Sequence, residues 1–494
     1  MATIPWFLCL VPLICGVLAL LDRSGRRLKP LIWAGTGVML LLATDVVLAP
    51  GGEAAGDVLV ASDPLARVMV AIVAVVGALS SAESFHYWHD DLVSAGGSHG
   101  QGGRGLPRVR LYFFWQQAFL ASLLLAAVSG NLGLSWVAIE LTTVTSAVLV
   151  GFSGEARAVE AAWKYVVLCS VGLALALFTT ILLYALAGGG GIHVLDWRFL
   201  QQAAHGFPAG PAKLAFLFAL VGFGTKCGLA PLHTWLPDAH SEAPAPISAL
   251  LSGVLLAVVL CTLVRVAGVT AGATGVAFPF HLLLGAGLVT VAVATPFLVF
   301  QEDLKRLLAY STIEQVGLMT IGFGLHTPLA VAGAVLQLIV HALVKSSLFF
   351  AAGRVLRATG SQRLARLRAL GRRAPLLGAV LLAGVLTLGG MPPFGMFFSE
   401  LAIVQGALHA ATAIGLGLLG ILAVIFSGLA FYVARAVFGP RGAGQRTRTT
   451  LGAILILGVP LLCSILVGMW TPGPLARGIT AAATTASAVG GQRA

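Results

Sequence analysis

The sequence predicts an all-α, polytopic membrane protein, and three observations carry that prediction. Of 494 residues, 58% are hydrophobic and only 10% charged, more apolar surface than a water-soluble core of that length could bury, so lipid must be the solvent. Apolar stretches of about 20 residues, the length that crosses a hydrocarbon core of roughly 30 Å, follow one another almost end to end. The alternating pattern of barrel strands is absent, which leaves a helical bundle as the way to satisfy backbone polar groups in lipid.

Taken in order, spans are expected near residues 3–21, 30–49, 65–82, 110–129, 132–152, 162–187, 213–238, 244–270, 277–299, 304–323, 328–354, 375–408, 411–437 and 450–470, about fourteen in all. The first lacks a leading basic region and a cleavage site, so it reads as a helix and not as a removed signal peptide. Residues 193–206 are expected to form a short interfacial helix, Ala95 to Gly105 a glycine-rich loop, and the Ala/Thr/Gly tail after Pro474 a disordered end. The chain divides into an N-terminal part (1–109), two five-helix units (110–270 and 277–437) and a last helix with its tail (438–494). Each unit has an interrupted helix in fourth place, and an odd number of crossings turns the second unit upside down relative to the first.

Lysines and arginines set the orientation, because short cytoplasmic links hold them. They gather in the links after spans 1, 3, 5, 9, 11 and 13, including seven arginines from Arg354 to Arg373, while the links after spans 2, 8 and 10 hold none. Both termini are therefore expected to face outward, in the plasma (inner) membrane. The net charge of +12 follows from these links and not from a nucleic-acid surface, since the basic residues form no single face interleaved with aromatics. Six cysteines are scattered through apolar stretches without a C-x-x-C pair or metal-ligand spacing, and read as small buried hydrophobes.

Ionisable groups inside spans cost roughly 2.5–3.5 kcal/mol each on insertion scales and so require a reason. Lys226 follows a dozen mostly apolar residues and precedes Gly228 and Pro231, which should break the helix at mid-depth; broken helices line ion-handling cavities in transporters. The competing reading is a lysine that snorkels to the interface. His233 lies just beyond the break. Glu140 sits near the middle of span 5, where a nearby ammonium is its natural partner. Gln337, His341 and Lys345 recur every four residues, one polar stripe along span 11. Glu400 follows the second break, Gly389-Gly390-Met391-Pro392-Pro393, and Glu314 is the counterpart of Glu140 under the repeat symmetry. His86, His89, Asp90 and Asp91 read as a solvated helix end, and Arg265 as snorkelling outward. Together Glu140, Lys226, His233, Glu314, Gln337, His341, Lys345 and Glu400 are the candidate proton path. No nucleotide, flavin, haem, iron–sulfur or metal site is visible, so no cofactor is expected in this chain.

The segment K-C-G-L-A-P-L-H-T-W-L-P-D-A-H-S-E-A-P-A-P-I-S-A-L-L-S-G, from Lys226 to Gly253, closely resembles the signature of the antiporter-like subunits of respiratory complex I, Mrp-type cation/proton antiporters and membrane-bound energy-converting hydrogenases. S-W-V-A-I-E-L-T-T at 135–143, D-L-K-R-L-L-A-Y-S-T-I-E-Q at 303–315, H-A-L-V-K at 341–345 and M-P-P-F-G-M-F-F-S-E at 391–400 support it. The S-E-A-P-A-P wording looks most like the F-type subunit of hydrogenase-4. The resemblance implies that Glu140 and Lys226 form a first half-channel, that Lys345 with His341 is central, and that Glu400 ends the route. It also implies other membrane subunits and peripheral redox subunits as partners, and protons or Na+ as cargo. The sequence departs from many relatives in carrying Glu400 where they have lysine, and in lacking lysine or histidine between Leu250 and Val264, so water or other residues must link the half-channels.

Overall fold

The computed structural model describes residues 4–48, 63–89, 92, 105–439, 450–471 and 473–488. Its long helices are α1 (Ile4–Leu21), α2 (Leu28–Leu48), α3 (Pro64–Tyr87), α4 (Gly105–Val128), α5 (Leu132–Val150), α6 (Ala156–Leu186), α7a (Ala209–Cys227) with α7b (Trp235–Glu242), and α8 (Ala245–Thr274). They continue with α9 (Ala277–Val299), α10 (Leu304–Gly324), α11 (Pro328–Thr359), α12a (Pro375–Leu388) with α12b (Gly395–Ala410), α13 (Thr412–Phe438), α14 (Leu451–Met469) and α15 (Gly473–Ala488). Among the described residues eleven helices are long and apolar enough to cross a membrane. The expected spans that fall short of that measure are α7, α10 and α12: two are interrupted, and the third carries Lys305, Arg306 and Glu314.

The two units repeat the same order of packing. Helix α5 lies between α4 and α6, and α6 against α7a; α10 likewise lies between α9 and α11, and α11 against α12b. Small residues let the paired backbones approach closely, as membrane helices require without a hydrophobic drive between them. Gly222 of α7a is pressed on the backbone of Gly172 and Ala176 in α6, and Gly333 of α11 on Ser399 and Ala402 in α12b. Helix α8 runs through the middle, its whole apolar window buried.

Both breaks are built alike. Gly228 adopts φ +80°, and Leu229 N–H then donates to Gly224 C=O at 2.9 Å, closing α7a. Gly390 adopts φ +63°, and Met391 N–H donates to Leu386 C=O at 3.1 Å, closing α12a. In each case a left-handed glycine returns a backbone N–H to a carbonyl that has lost its helical donor.

Two expectations are corrected. The tail after Pro474 is not disordered as far as Ala488: α15 packs on α3 and α11, burying Ile479, Ala482, Ala483 and Ala486. An Ala/Thr/Gly segment too weakly apolar to order itself is ordered by a surface close enough for alanine to fill. Arg265 does not snorkel; its Nη2 donates to Asp63 Oδ2 at 2.7 Å, and Asp63 also caps α3 through Ala66 N–H. Two basic residues counted with the links, Lys305 and Arg354, are drawn into the fold. Lys305 is buried, and Arg354 holds buried Glu83 of α3 with two contacts of 2.9 and 2.5 Å. The interfacial helix is present at Trp197–Ala203, fixed by Trp197 Nε1–H donating to Ser129 C=O. His86 and His89 are exposed, while the glycine-rich loop before Gly105, Asp90 and Asp91 lie outside the described residues.

Candidate functional site

Lys226 occupies the last turn of α7a with no accessible surface. Its ammonium donates to Thr143 Oγ1 of α5 at 2.8 Å and to the hydroxyl of Tyr165 on α6. It also lies 4.4 Å from the centre of the Tyr165 ring and 6.0 Å from that of Trp235. A buried charge needs such hydroxyl and aromatic partners because it has left water behind. Tyr165 shares a 2.7 Å hydrogen bond with Ser146, which donates to Thr142 C=O, so α5 lines the site with hydroxyls. Trp235 Nε1–H donates to Thr225 C=O at 2.9 Å and ties α7b back to α7a across the break.

Glu140 lies one turn before Thr143, half-buried, with an unpartnered Oε2. It is within electrostatic reach of Lys226, yet among the described residues no ion pair joins them. The carboxylate stands off and hydroxyls make the contacts. His233, between α7a and α7b, is buried with an unpartnered Nδ1 and makes no hydrogen bond to either group.

The second unit places opposite chemistry at its break. Glu400 on α12b accepts from Gln315 Nε2 at 3.3 Å, and the same amide donates to Glu314 Oε2 at 2.9 Å. Gln337 of α11 donates to Gln315 Oε1, and Ser399 donates to Gln337 Oε1. Gly390 is pressed against the Glu400 carboxylate, where a Cβ would collide. Lys345 is fully buried and donates to Leu308 C=O at 2.9 Å and to Ser311 Oγ. Gln337 and Lys345 of the stripe therefore both meet α10, with the amide bridge at one end and the ammonium at the other.

The joint between the units falls where α8 carries a π-helical turn, Leu251–Leu255. Such a turn lets a backbone carbonyl escape its helical partner. Here Ser252 C=O accepts from His341 Nε2 at 3.3 Å, which fixes the tautomer with the proton on Nε2 and leaves Nδ1 unpartnered. Ser252 Oγ also shares a 2.7 Å hydrogen bond with Thr312 of α10. Where α8 has no lysine or histidine, the groups at the joint are this carbonyl and His240 of α7b. His240 is fully buried with both ring nitrogens unpartnered, between Trp235 (6.4 Å between ring centres) and Phe349 (5.7 Å). Sequence reasoning missed His240, Tyr165, Thr143 and Gln315. The only signals were an ionisable residue inside the long motif and a glutamine next to Glu314.

Residues 129–427 match the family described as NADH:quinone oxidoreductase/Mrp antiporter, transmembrane. A hydrogenase-4 component F homologue from Methylacidiphilum infernorum is 38% identical over 69% of this chain and 73% of its own length. A Na+/H+ antiporter subunit from Bacillus subtilis is 28% identical over 85% of this chain and 82% of its own. Among solved structures, a chain of the membrane-bound sulfane sulfur reductase, an archaeal respiratory membrane complex, superposes with a TM-score of 0.84 at 23% identity, covering 99% of this chain and all of that one. A chain of the Mrp complex from Dietzia superposes with a TM-score of 0.81 at 18% identity, covering 99% of each. At those identities the likeness concerns the fold.

Proposed function

Because the chain belongs to the NADH:quinone oxidoreductase/Mrp antiporter transmembrane family, we propose that it conducts protons across the membrane as an antiporter-like subunit of a redox-driven complex of the hydrogenase-4 kind. Lys226 carries this reading: a fully buried ammonium held by neutral hydroxyls, with Glu140 near enough to act on it and one carboxylate oxygen of Glu140 unpartnered. An ammonium in that setting exchanges a proton when its carboxylate neighbour approaches or withdraws, and each tenfold change in its affinity corresponds to about 1.4 kcal/mol. From Lys226 the route runs through Tyr165 and Ser146 on the α5 side, and through the His240, His341 and Lys345 region at the joint. It ends at Glu314 and Glu400, whose carboxyls accept from one amide, that of Gln315.

The arrangement of basic links supports both termini facing outward in the plasma membrane. Partners are other membrane subunits and the peripheral redox subunits that drive them; no cofactor is assigned to this chain. Sodium/proton exchange is the second reading, favoured by the B. subtilis antiporter relative, which covers more of the chain than the hydrogenase one.

The test uses the complex purified through this chain and reconstituted in liposomes with a trapped pH dye. Lys226→Ala is expected to reduce proton transfer to the rate of empty liposomes. Transfer at the unmutated rate overturns the assignment, and transfer that requires sodium selects the antiport reading.

A further inference from the structure

Helix α3 carries no group of the route just described, yet it is tied to both helices that meet at the joint. At one end Asp63 holds Arg265 of α8 at 2.7 Å. At the other, Ser80 Oγ donates to Pro246 C=O in the first turn of α8 at 2.8 Å, and Gln116 of α4 donates to Ser80 at 3.0 Å. One turn further along α3, Glu83 takes Arg354 of α11 through both carboxylate oxygens. Arg357, one turn beyond Arg354, donates to the last carbonyls of α3, those of His86 and Tyr87. Gly353, beside Arg354, is pressed on Ala245, the residue before Pro246. The end of α3, the start of α8 and the end of α11 thus converge in one knot.

The chemistry of the knot is costly for a mere fastening. Glu83 is buried and the Arg354 side chain is only 10% exposed, and a buried ion pair gains little over apolar side chains that would hold two helices as firmly. What it adds is register. A guanidinium that engages both oxygens of a carboxylate fixes distance and angle together, and aliphatic side chains fix neither as sharply. The register at stake is that of α8 against α11. Less than two turns after Pro246 comes the π turn of α8, which also packs on α3. There Gly253 lies so close to α11 that a Cβ would stand 3.1 Å from Ala342 C=O. The preceding carbonyl, that of Ser252, accepts from His341, the residue before Ala342. At 3.3 Å that hydrogen bond is already long, so a small slide of α11 along α8 breaks it.

We propose that Glu83 and Arg354 are positioning residues for the joint: their ion pair, with the Ser80–Pro246 hydrogen bond, sets the register of α11 on α8 that brings His341 to the carbonyl of Ser252. The proposal rests on the proton-conducting reading above and extends it to a helix outside both five-helix units. Helix α3 then serves conduction without contributing a group to the route. It holds the two helices of the joint at the spacing their one hydrogen bond requires.

The test is a double-variant cycle on the intact complex reconstituted in liposomes. Glu83→Gln keeps the shape of the side chain and removes its charge, and Gly253→Ala adds one methyl group between the π turn and Ala342. Each alone should lower proton transfer by about fivefold. The two positions share no hydrogen-bond partner, so independent effects would multiply; because both act on one register, the combined loss should depart from that product by about threefold or more. Arg108→Gln frees α4 from the carbonyls of Phe152 and Ser153, away from the joint, and should multiply with Gly253→Ala. If the Glu83→Gln complex does not assemble, Ser80→Ala takes its place in the cycle with the same expectation. Simple multiplication of Glu83→Gln with Gly253→Ala, together with loss in Lys226→Ala, overturns the positioning role and leaves the route. Equal coupling at Arg108→Gln overturns the assignment to this pair. Normal transfer in Lys226→Ala overturns the route and the positioning role together.

Discussion

The first unit holds an ammonium at its broken helix and the second a carboxylate, although the two breaks share one design. Gly228 and Gly390 both take the left-handed conformation and both return the next N–H to the helix above. The surroundings then diverge. Lys226 is held by the hydroxyls of Thr143 and Tyr165, which accept its protons without adding a second charge, and Glu140 stays apart. Glu400 is held through Gln315, whose amide joins it to Glu314, and the ammonium of that unit has moved to α11 as Lys345. The break therefore supplies a place where charge is tolerated, and neighbouring helices choose its sign.

The largest test removes the ammonium of the second unit. Lys345 is the buried ammonium of the second unit on the proposed route, so Lys345→Met should lower proton transfer by about a hundredfold or more, about 2.7 kcal/mol on the barrier, with Ser311 and Leu308 C=O left without their donor. Liposome assays read this directly. If Lys345→Met conducts normally, the second unit does not need its own ammonium and the comparison fails.

Next in size are the neutral bridges. Gln315→Leu deletes the amide that joins Glu314, Glu400 and Gln337, and Tyr165→Phe deletes one hydroxyl partner of Lys226. A hydrogen bond to a charged group is worth about 1.5–3 kcal/mol. Gln315→Leu should slow transfer by about tenfold or more, and Tyr165→Phe by less, because Thr143 still accepts from Lys226. Equal losses would mean that the two units hold their charges by the same means.

How much of this could be read from the sequence follows from where each signal lives. The spans, both breaks and the four-residue stripe were legible because periodicity, glycine, proline and charge are local. The burial of Lys305 was not, because it depends on the fold laying the end of α7b over a lysine counted with the link charges. Arg354 hides in the same way under Glu83, a partner 271 positions away. Tyr165 and Thr143 carry no charge to make them anomalous in a membrane, so nothing marked them. Helix α15 escaped because alanine and threonine give little hydropathy, and only the nearness of α3 and α11 makes burying Ala482 and Ala483 worthwhile.

The backbone of the two breaks can be compared by adding one methyl group to each. A left-handed conformation costs a non-glycine residue about 1–2 kcal/mol, so Gly228→Ala and Gly390→Ala should both lower the thermal stability of the complex. At Gly228 the added Cβ meets only the end of the flexible Leu236 side chain, which can move. At Gly390 it meets the Glu400 carboxylate, which is held by Gln315. Gly390→Ala should therefore also impair transfer, whereas Gly228→Ala should mainly affect stability. Similar transfer rates in the two variants would show that Glu400 is not held where the amide bridge places it.

The smallest effect is expected at the joint. Ser252→Ala removes the hydroxyl that meets Thr312 but leaves the π turn and the carbonyl that accepts from His341. If backbone and not side chain carries the joint, proton transfer should change by less than about threefold, the scale of half a kcal/mol or so, the lower end of what a single neutral hydrogen bond contributes. A tenfold loss would instead make the Ser252–Thr312 hydroxyl pair the link between α8 and α10. The sequence departure in α8 would then be a replacement of a charged side chain by a hydroxyl pair, and not by a carbonyl that any residue at position 252 could supply.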